Sequence, residues 1–310
     1  TRELTMRFGG LTAVGNLDLK VPEGRIFSLI GPNGAGKTTV FNAVSGLYVP
    51  TSGEVRFRGR SLFRPWEGRV AALVLCSAIF CGLSGVAILH LETLWQVSVI
   101  DNYVGGEAFP WGKAVVDLGR VVGREPGLSF LVFAVSLVLG GAGVFLMWHR
   151  ARWAPEFIAR QGIAQTFQNI RLFFGMTVLE NVMLVCEARD RKTGPGLVSM
   201  FLRLPGVGRH EAKARQEATE LLEFVGLAGQ SGLLASGLAY GQQRRLEIAR
   251  ALACSPELLL LDEPAAGMNP TELRELMELI RKIRSRGITV MLIEHHMKVV
   301  MGISDRIAVL

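Results

Sequence analysis

Apolar positions in this 310-residue chain fall into three patterns, and each predicts a different kind of element. Short uninterrupted runs occur at Ile26-Phe27-Ser28-Leu29-Ile30, at Leu258-Leu259-Leu260-Leu261 and from Thr289 to Ile293. Runs of that length read as strands buried on both faces, the habit of a parallel sheet. Further strands are expected near Leu4–Phe8, Leu17–Val21 and Glu54–Phe57, forming an antiparallel subdomain, and Arg306 to Leu310 is strand-like. Helical periodicity marks His210 to Val225 and Pro270 to Arg286, the latter with proline near its start. Thr177-Val178-Leu179-Glu180 opens another helix with a cap-like threonine, and residues 190–208 form a Gly/Pro-containing connector.

The third pattern is of another kind. Val70 to Leu91 and Gly127 to Trp148 are each 22 residues without a formal charge. About 20 apolar residues span the hydrocarbon core of a bilayer. The ten Leu, Ile, Val or Phe between Val70 and Leu89 would favour insertion by about 3–6 kcal/mol. Two buried helices of a soluble subdomain are the competing expectation. Charge favours the membrane and orients the chain in it. Arg58, Arg60, Arg64 and Arg69 precede the first run, and His149, Arg150, Arg152 and Arg160 follow the second. Between them five acids (Glu92, Asp101, Glu107, Asp117, Glu125) outnumber three bases (Lys113, Arg120, Arg124). The positive-inside rule puts both ends of this hairpin in the cytoplasm and residues 92–126 outside. Trp95, Trp111, Trp148 and Trp153 suit interfacial anchoring.

The chemistry begins at Gly31-Pro32-Asn33-Gly34-Ala35-Gly36-Lys37-Thr38, followed by Thr39, which fits GxxxxGK[ST] between a strand and a helix. A glycine-rich turn there aims backbone N–H groups at one point beside the positive end of a helix dipole. Lys37 is then placed for β- and γ-phosphates and the Thr38 hydroxyl for Mg²⁺, which implies a nucleoside triphosphate ligand. The run of four leucines ends in Asp262-Glu263, carboxylates at the C-terminal end of a strand where α/β sheets bind ligands. Asp262 is the expected metal ligand, and Glu263 the base that orients and deprotonates water. Alone, such a pair would as readily be a helix cap.

Leu238-Ala239-Tyr240-Gly241-Gln242-Gln243-Arg244-Arg245-Leu246-Glu247-Ile248-Ala249-Arg250 resembles the signature and following helix of ABC transporter nucleotide-binding subunits. Other marks of that family occur in order. Phe167-Gln168-Asn169 resembles the Q-loop, Ala265 to Pro270 the D-loop, and His295, after the third strand, the switch histidine. The resemblance implies that Gln168 senses metal and attacking water and that His295 contacts the γ-phosphate. It also implies that Phe8 stacks on adenine, although Phe8 also suits a packed strand position and His295 a core one. Phe8-Gly9-Gly10-Leu11, the segment Gly162 to Phe173, Leu-Ala-Tyr-Gly-Gln-Gln and Ala-Ala-Gly-Met-Asn-Pro resemble the ATPases of branched-chain amino acid importers, and in part those that extract lipopolysaccharide. The resemblance covers residues 1–61 and 154–310 and leaves 62–153 as an insertion.

The implied fold is an α/β P-loop NTPase of the ABC ATPase type, with an antiparallel β-subdomain and a helical subdomain, interrupted by a transmembrane helical hairpin. The implied activity is hydrolysis of ATP with Mg²⁺ held by Thr38, Gln168 and Asp262, coupled to import of branched-chain or related amino acids. Leu238 to Gln242 would meet ATP held by a second ATPase subunit, identical or paralogous. Other implied partners are polytopic permeases, a periplasmic substrate-binding protein and membrane lipid, which places the ATPase on the cytoplasmic side of the inner membrane. A lipid- or lipopolysaccharide-extracting ATPase and a membrane-tethered regulator that moves nothing are the alternatives. The chain departs from the general pattern at Ala239 (usually serine), Tyr240 (usually glycine), Asn269 (usually aspartate) and His296 (often acidic). The expected cost is weaker closure of the ATPase pair, with activity kept.

Composition adds little beyond this. Without residues 62–153 the remainder is the size of one α/β domain. A net charge of +7 carries no nucleic-acid motif with interleaved stacking aromatics, so nucleic acid is not an expected partner. The four cysteines show no paired metal spacing and are expected as free thiols in a reducing compartment. No N-terminal signal peptide is visible. The first residue is not Met and the last lies in a strand-like stretch, so a fragment lacking a C-terminal tail is expected.

Overall fold

The computed structural model describes residues 1–62, 68–96, 100, 116, 126–151, 155–190 and 205–310. The chain opens with strands β1 (Arg2–Phe8) and β2 (Leu11–Leu17), then β3 (Ile26–Ile30), helix α1 (Lys37–Val44) and short strands β4 (Ser52–Glu54), β5 (Arg56–Phe57) and β6 (Arg60–Ser61). Helices α2 (Gly68–Leu89), α3 (Leu91–Trp95) and α4 (Pro126–Ala151) follow, then α5 (Pro155–Ala159), β7 (Ile163–Gln165), α6 (Val178–Arg189) and α7 (Pro205–Val225). The chain continues with α8 (Tyr240–Ala253), β8 (Leu258–Asp262), α9 (Pro270–Ser285), β9 (Thr289–Ile293), α10 (Met297–Ile303) and β10 (Arg306–Val309). It forms two compact units, Thr1–Phe63 with Trp153–Leu310, and Arg64–Arg152.

In the first unit, five parallel strands take the order β10-β3-β9-β8-β7. Alternate residues of each strand face opposite ways and feed two separate cores. Leu259 and Leu261 of β8 join Val290 and Leu292 in a core with Val182, Leu222, Leu246 and Ile280 of the helices. Leu258 and Leu260 join Met291, Phe27 and Leu29 in a second core with Met6, Phe41, Leu62 and Ile158. That double burial explains why these strands are almost entirely apolar, with only Ser28 interrupting β3. Register places Leu29 opposite Ile293 and Ile293 opposite Asp262, so the three strands end in step at one edge.

The antiparallel part differs from the expected Leu17–Val21 strand. β2 begins at Leu11, because Gly9-Gly10 makes a tight turn with Gly9 at φ 58° and sets Phe8 opposite Leu11. The three strands pair as β2-β1-β4, and β5-β6 form a separate hairpin. The expected connector at 190–208 is shorter, since α7 already begins at Pro205, a residue pre-set for a first helical turn; residues 191–204 lie outside the described residues.

The second unit inverts the usual rule of burial. α2 and α4 meet through small residues. A Cβ at Gly140 would stand 2.6 Å from Cys81 Cβ, and one at Gly85 would meet the Ser136 hydroxyl at 2.3 Å. Ser77 Oγ donates to the Gly140 carbonyl at 3.4 Å, and His90 Nε2 lies 2.9 Å from Ser129 Oγ. The large side chains Leu73, Leu75, Phe80, Leu83, Phe130, Leu131 and Leu139 face outward, exposed. Helices in lipid pack this way, because apolar bulk gains nothing by hiding from lipid while small residues let backbones approach. Both helices are long and apolar enough to cross a membrane, by length and composition.

Where the insertion leaves the first unit, the chain ends are tied together. Leu62 N–H donates to Val55 O at 3.0 Å, and Gln161 Nε2 donates to Leu62 O at 3.1 Å. Among the described residues, both apolar cores of that unit are built from residues up to Leu62 and from Phe157 onward. Replacing residues 64–152 with a short Gly-Ser linker should therefore leave a unit that unfolds in one cooperative transition in detergent-free buffer. Circular dichroism melting checks this, and a molten or aggregated product would make the insertion part of the core.

Candidate nucleotide site

The in-step strand ends deliver three loops to one place. After β3 the chain turns through residues 31–36 into α1, with Gly34 and Gly36 at φ 86° and 87°. At Gly36 a Cβ would lie 2.5 Å from the Ala13 carbonyl, so only glycine fits both the left-handed backbone and the space. No acidic side chain lies in the first turn of α1, whose amide end stays free to attract anions. Lys37 is only 6% exposed, and its ammonium donates to the Gly31 and Pro32 carbonyls at 2.9 and 2.8 Å. It is drawn along its own loop.

An open cavity of about 710 Å³ lies over this loop. Asn33, Gly34, Gly36, Lys37, Thr38 and Thr39 line one side of it, with Ala13, and Gln168, Glu263 and His295 the other. Glu263 is gripped from two directions. Gln168 Nε2 donates to its Oε2 at 3.1 Å, and the His295 ring nitrogen Nε2 meets its Oε1 at 2.9 Å. Its backbone is left-handed, φ 46°, with N–H bonded to Ile293 O at 3.0 Å. A non-glycine residue held so costs roughly 1–3 kcal/mol, and such strain concentrates at functional sites. The carboxylate is thus fixed facing the phosphate loop, as a group that accepts a proton from water must be.

Asp262, one residue back, is only 3% exposed, and its Oδ1 has no hydrogen-bond partner. Burial, and secondarily the Glu263 charge, push its pKa up to about 6. A buried carboxylate oxygen left open at the ligand end of a sheet suits a hard cation, as do the Thr38 hydroxyl and the Gln168 amide oxygen on the cavity wall. No group of three or more His, Cys, Asp or Glu suited to a metal occurs among the described residues, so a cation here would also need hydroxyl, amide, water or phosphate oxygens.

The structure separates other expected site residues from this cavity. Leu238, Ala239, Tyr240, Gly241 and Gln242 sit at the start of α8 and do not line it. Ala239 is the helix N-cap without a side-chain bond; instead Gln242 Oε1 accepts the Ala239 N–H at 3.1 Å. Phe8 is exposed, its ring edge-on to Tyr48 at 5.3 Å, and lies off the cavity wall, as do Gly31, Pro32, Ala35 and the buried Asp262. A smaller apolar cavity of about 330 Å³, among Val44, Phe57, Leu62 and Met291, contains none of the phosphate-loop residues.

The sequence assigned no role to Glu294 and marked Asn269 only as a departure from the family pattern. Buried Glu294 accepts the Ala265 N–H at 2.8 Å and the His295 N–H at 3.1 Å, tying the turn after Glu263 to the histidine that grips it. An acid closing an apolar strand beside that histidine was the available signal. Asn269 caps α9, its Oδ1 accepting from Thr271 and Glu272 N–H at 2.9 Å each, while Glu272 returns the bond at 3.0 Å. Asparagine therefore does here what an aspartate cap would do.

The comparisons with known proteins agree with this geometry. A family model described as ABC transporter matches residues 14–79 and 149–266, more than half of the chain. The chain is 39% identical over 307 residues to the high-affinity branched-chain amino acid transport ATP-binding protein LivG of Salmonella typhimurium, covering 99% of this chain and 85% of that protein. It is 36% identical to BraF of Pseudomonas aeruginosa, which carries the same description, over 99% of this chain and 85% of that one. Among solved structures, a nucleotide-free ATP-binding cassette from an ABC transporter superposes with TM-score 0.59 at 20% identity, covering 100% of this chain and 85% of its own. A dimeric cassette in a post-hydrolysis state bound to ADP and Pi gives TM-score 0.57 at 21% identity, covering 100% and 92%. With a phosphate loop, a gripped glutamate and a signature helix on this fold, the chain belongs to the ABC transporter ATPases, which bind and hydrolyse ATP.

Proposed function

We propose that this chain energises import of branched-chain or related amino acids, working as one of a pair of ATPase subunits beneath polytopic permeases. The observation that carries the reading is Glu263, held by Gln168 and His295 across the cavity from the phosphate loop, in a chain 39% identical to LivG. Lys37 and the N–H groups of the loop hold the β- and γ-phosphates, and Phe8 carries the adenine. Glu263 takes the proton of the attacking water; Gln168 orients that water and His295 steadies the γ-phosphate. Thr38, Gln168 and the open Oδ1 of Asp262 would hold Mg²⁺, which supplies charge neutralisation on the phosphate oxygens. Leu238 to Gln242 lie off this cavity, which supports a site completed across two subunits, each signature closing on its partner's ATP. Gln242 would then trade its bond to Ala239 for one to nucleotide.

A groove of about 640 Å³ beside the Q-loop is lined by Leu47, Leu172, Phe173, Val185, Arg171 and Arg250. Its apolar floor and two guanidinium groups suit a permease helix end carrying an acidic residue. The outward-facing apolar side chains of α2 and α4 support a lipid surface for the Arg64–Arg152 unit. We assign it as a cytoplasmic-facing tether in the inner membrane. Two helices are too few to enclose a translocation path, so transport falls to other chains, among them a periplasmic substrate-binding protein that supplies the amino acid.

Four outcomes test this. Glu263→Gln should bind ATP as tightly as wild type while turnover falls by about a thousandfold or more; unchanged turnover in a phosphate-release assay would remove Glu263 as base. Asp262 gives a pH signature. Its folded pKa of about 6 lies above the ordinary aspartate value of 3.8. The folded chain thus holds that proton more tightly than the unfolded one, and this contribution to stability is lost as pH rises from about 4 to about 6. At pH 7 without Mg²⁺ the buried charge costs roughly 2–3 kcal/mol, so Asp262→Asn should raise Tm by several degrees there and by little at pH 4. A pH-independent difference would place the effect elsewhere. Gentle extraction from native membranes should bring down polytopic permeases and an amino acid-binding protein, and the 64–152 deletion expressed without permease should leave the membrane fraction. Lipid-extraction permeases, or no partner, would overturn the importer reading; a deletion chain still wholly membrane-bound would overturn the tether.

A further inference from the structure

Arg244 is fully buried, the largest such side chain among the described residues, yet it touches neither the cavity nor the surface. Its guanidinium is spent on the Q-loop backbone. Nη1 donates to Phe167 O at 2.7 Å and Nη2 to Gln168 O at 3.0 Å. Glu247, one turn further along α8 and also buried, accepts Nη1 at 2.7 Å and, through its other oxygen, the Phe167 N–H at 3.1 Å. The next residue on that face, Arg250, bonds the Arg171 carbonyl and stacks on Phe173, 4.8 Å to the ring centre. One face of the signature helix therefore carries the segment from Phe167 to Phe173.

The seam is abrupt. Thr166 N–H still pairs with Leu260 O of β8 at 2.9 Å, so Thr166 belongs to the sheet. Phe167, the next residue, is bonded to α8 through both its N–H and its carbonyl. The Gln168 side chain then reaches back across the seam to Glu263, which closes β8. That return bond is exposed while the Arg244 contacts are buried, so a shift of α8 against β8 breaks the Gln168–Glu263 bond first. A buried ion pair contributes little to net stability but fixes geometry well, because neither charge can lose its partner cheaply.

Resting on the roles proposed above for Gln168 and Glu263, we propose that Arg244 and Glu247 are positioning residues that make the Q-loop part of the signature helix. The first turn of α8, which holds Tyr240 to Gln242, and the Gln168 backbone then move as one body. Closure of the signature on a partner's nucleotide sets whether Gln168 engages Glu263.

The test is steady-state ATP hydrolysis by the purified full-length complex. Arg244→Lys, which keeps the charge but cannot span both carbonyls, should lower kcat about tenfold and leave KM for ATP within about twofold. In a Gln168→Ala background the same change should cost less than about twofold more, because the group it positions is gone. Arg244→Met with Glu247→Leu removes both charges at similar volume and should reproduce the loss without exposing an orphan charge. Additive losses, or a raised KM with kcat retained, would overturn the proposal. So would loss of folding in both variants, since the pair would then be a determinant of the fold. Gln168→Ala alone examines the underlying reading: wild-type turnover there would remove Gln168's role, whereas an impaired Gln168→Ala with additive Arg244→Lys would sink only the strut.

Discussion

The common ending of three parallel strands is the constraint on which this ATPase depends. β3, β8 and β9 are buried on both faces and hydrogen-bonded in a register that brings Ile30, Asp262 and Ile293 to one edge. Apart from the small hydroxyls of Ser28 and Thr289, each hydrogen-bonded, these strands carry no polar side chain before their C-terminal ends. The phosphate loop, the carboxylate pair and the histidine meet because each is the first polar segment after a core strand. Changing the register of β8 by one residue would exchange its two faces between the cores and turn Glu263 away from His295.

How far this was legible in sequence depends on how local the cause is. The three central strands of the sheet could be read because short, nearly all-apolar runs permit little else, and the phosphate loop because its glycines answer to local geometry; the three-residue edge strand β7 was not read. Two residues, Gly9-Gly10, decided where β2 starts, and reading the apolar run from Leu17 missed it. Arg244, Glu247 and Glu294 were invisible for a different reason. Arg244 sits beside Arg245, which pairs with Glu275 on the helix surface. Only the register of α8 against the Q-loop, 76 and 77 residues earlier in the chain, separates the buried arginine from its exposed neighbour. Asp262 lies between these cases, since its place was readable but not the open oxygen or the raised pKa.

The Arg64–Arg152 unit distributes its large and small residues differently. In the ATPase unit the large residues are inside and glycine serves turns; in the helix pair Gly82, Gly85, Gly140 and Gly141 let the helices approach, with Phe133 packed on Gly82, while Leu73, Leu83, Phe80 and Phe130 face outward. No single principle of burial in water gives both. Within the first unit Gln161 is tied to Leu62, and among the described residues both of its cores close without the Arg64–Arg152 unit.

The site is costly to maintain, and the costs lie on one strand end. Glu263 holds a left-handed backbone, and Asp262 keeps a carboxyl group away from water with one oxygen open. Neither would survive on a marginal element. β8 sits next to the edge of the sheet, between β9 and β7, with all five of its residues buried. Deep apolar packing on both faces offsets strain and desolvation that a loop could not sustain. The same rigidity sharpens the seam beside it. With β8 so fixed, the exposed Gln168–Glu263 bond is the contact that would yield first to a movement of the signature helix, which is the basis of the coupling proposed above.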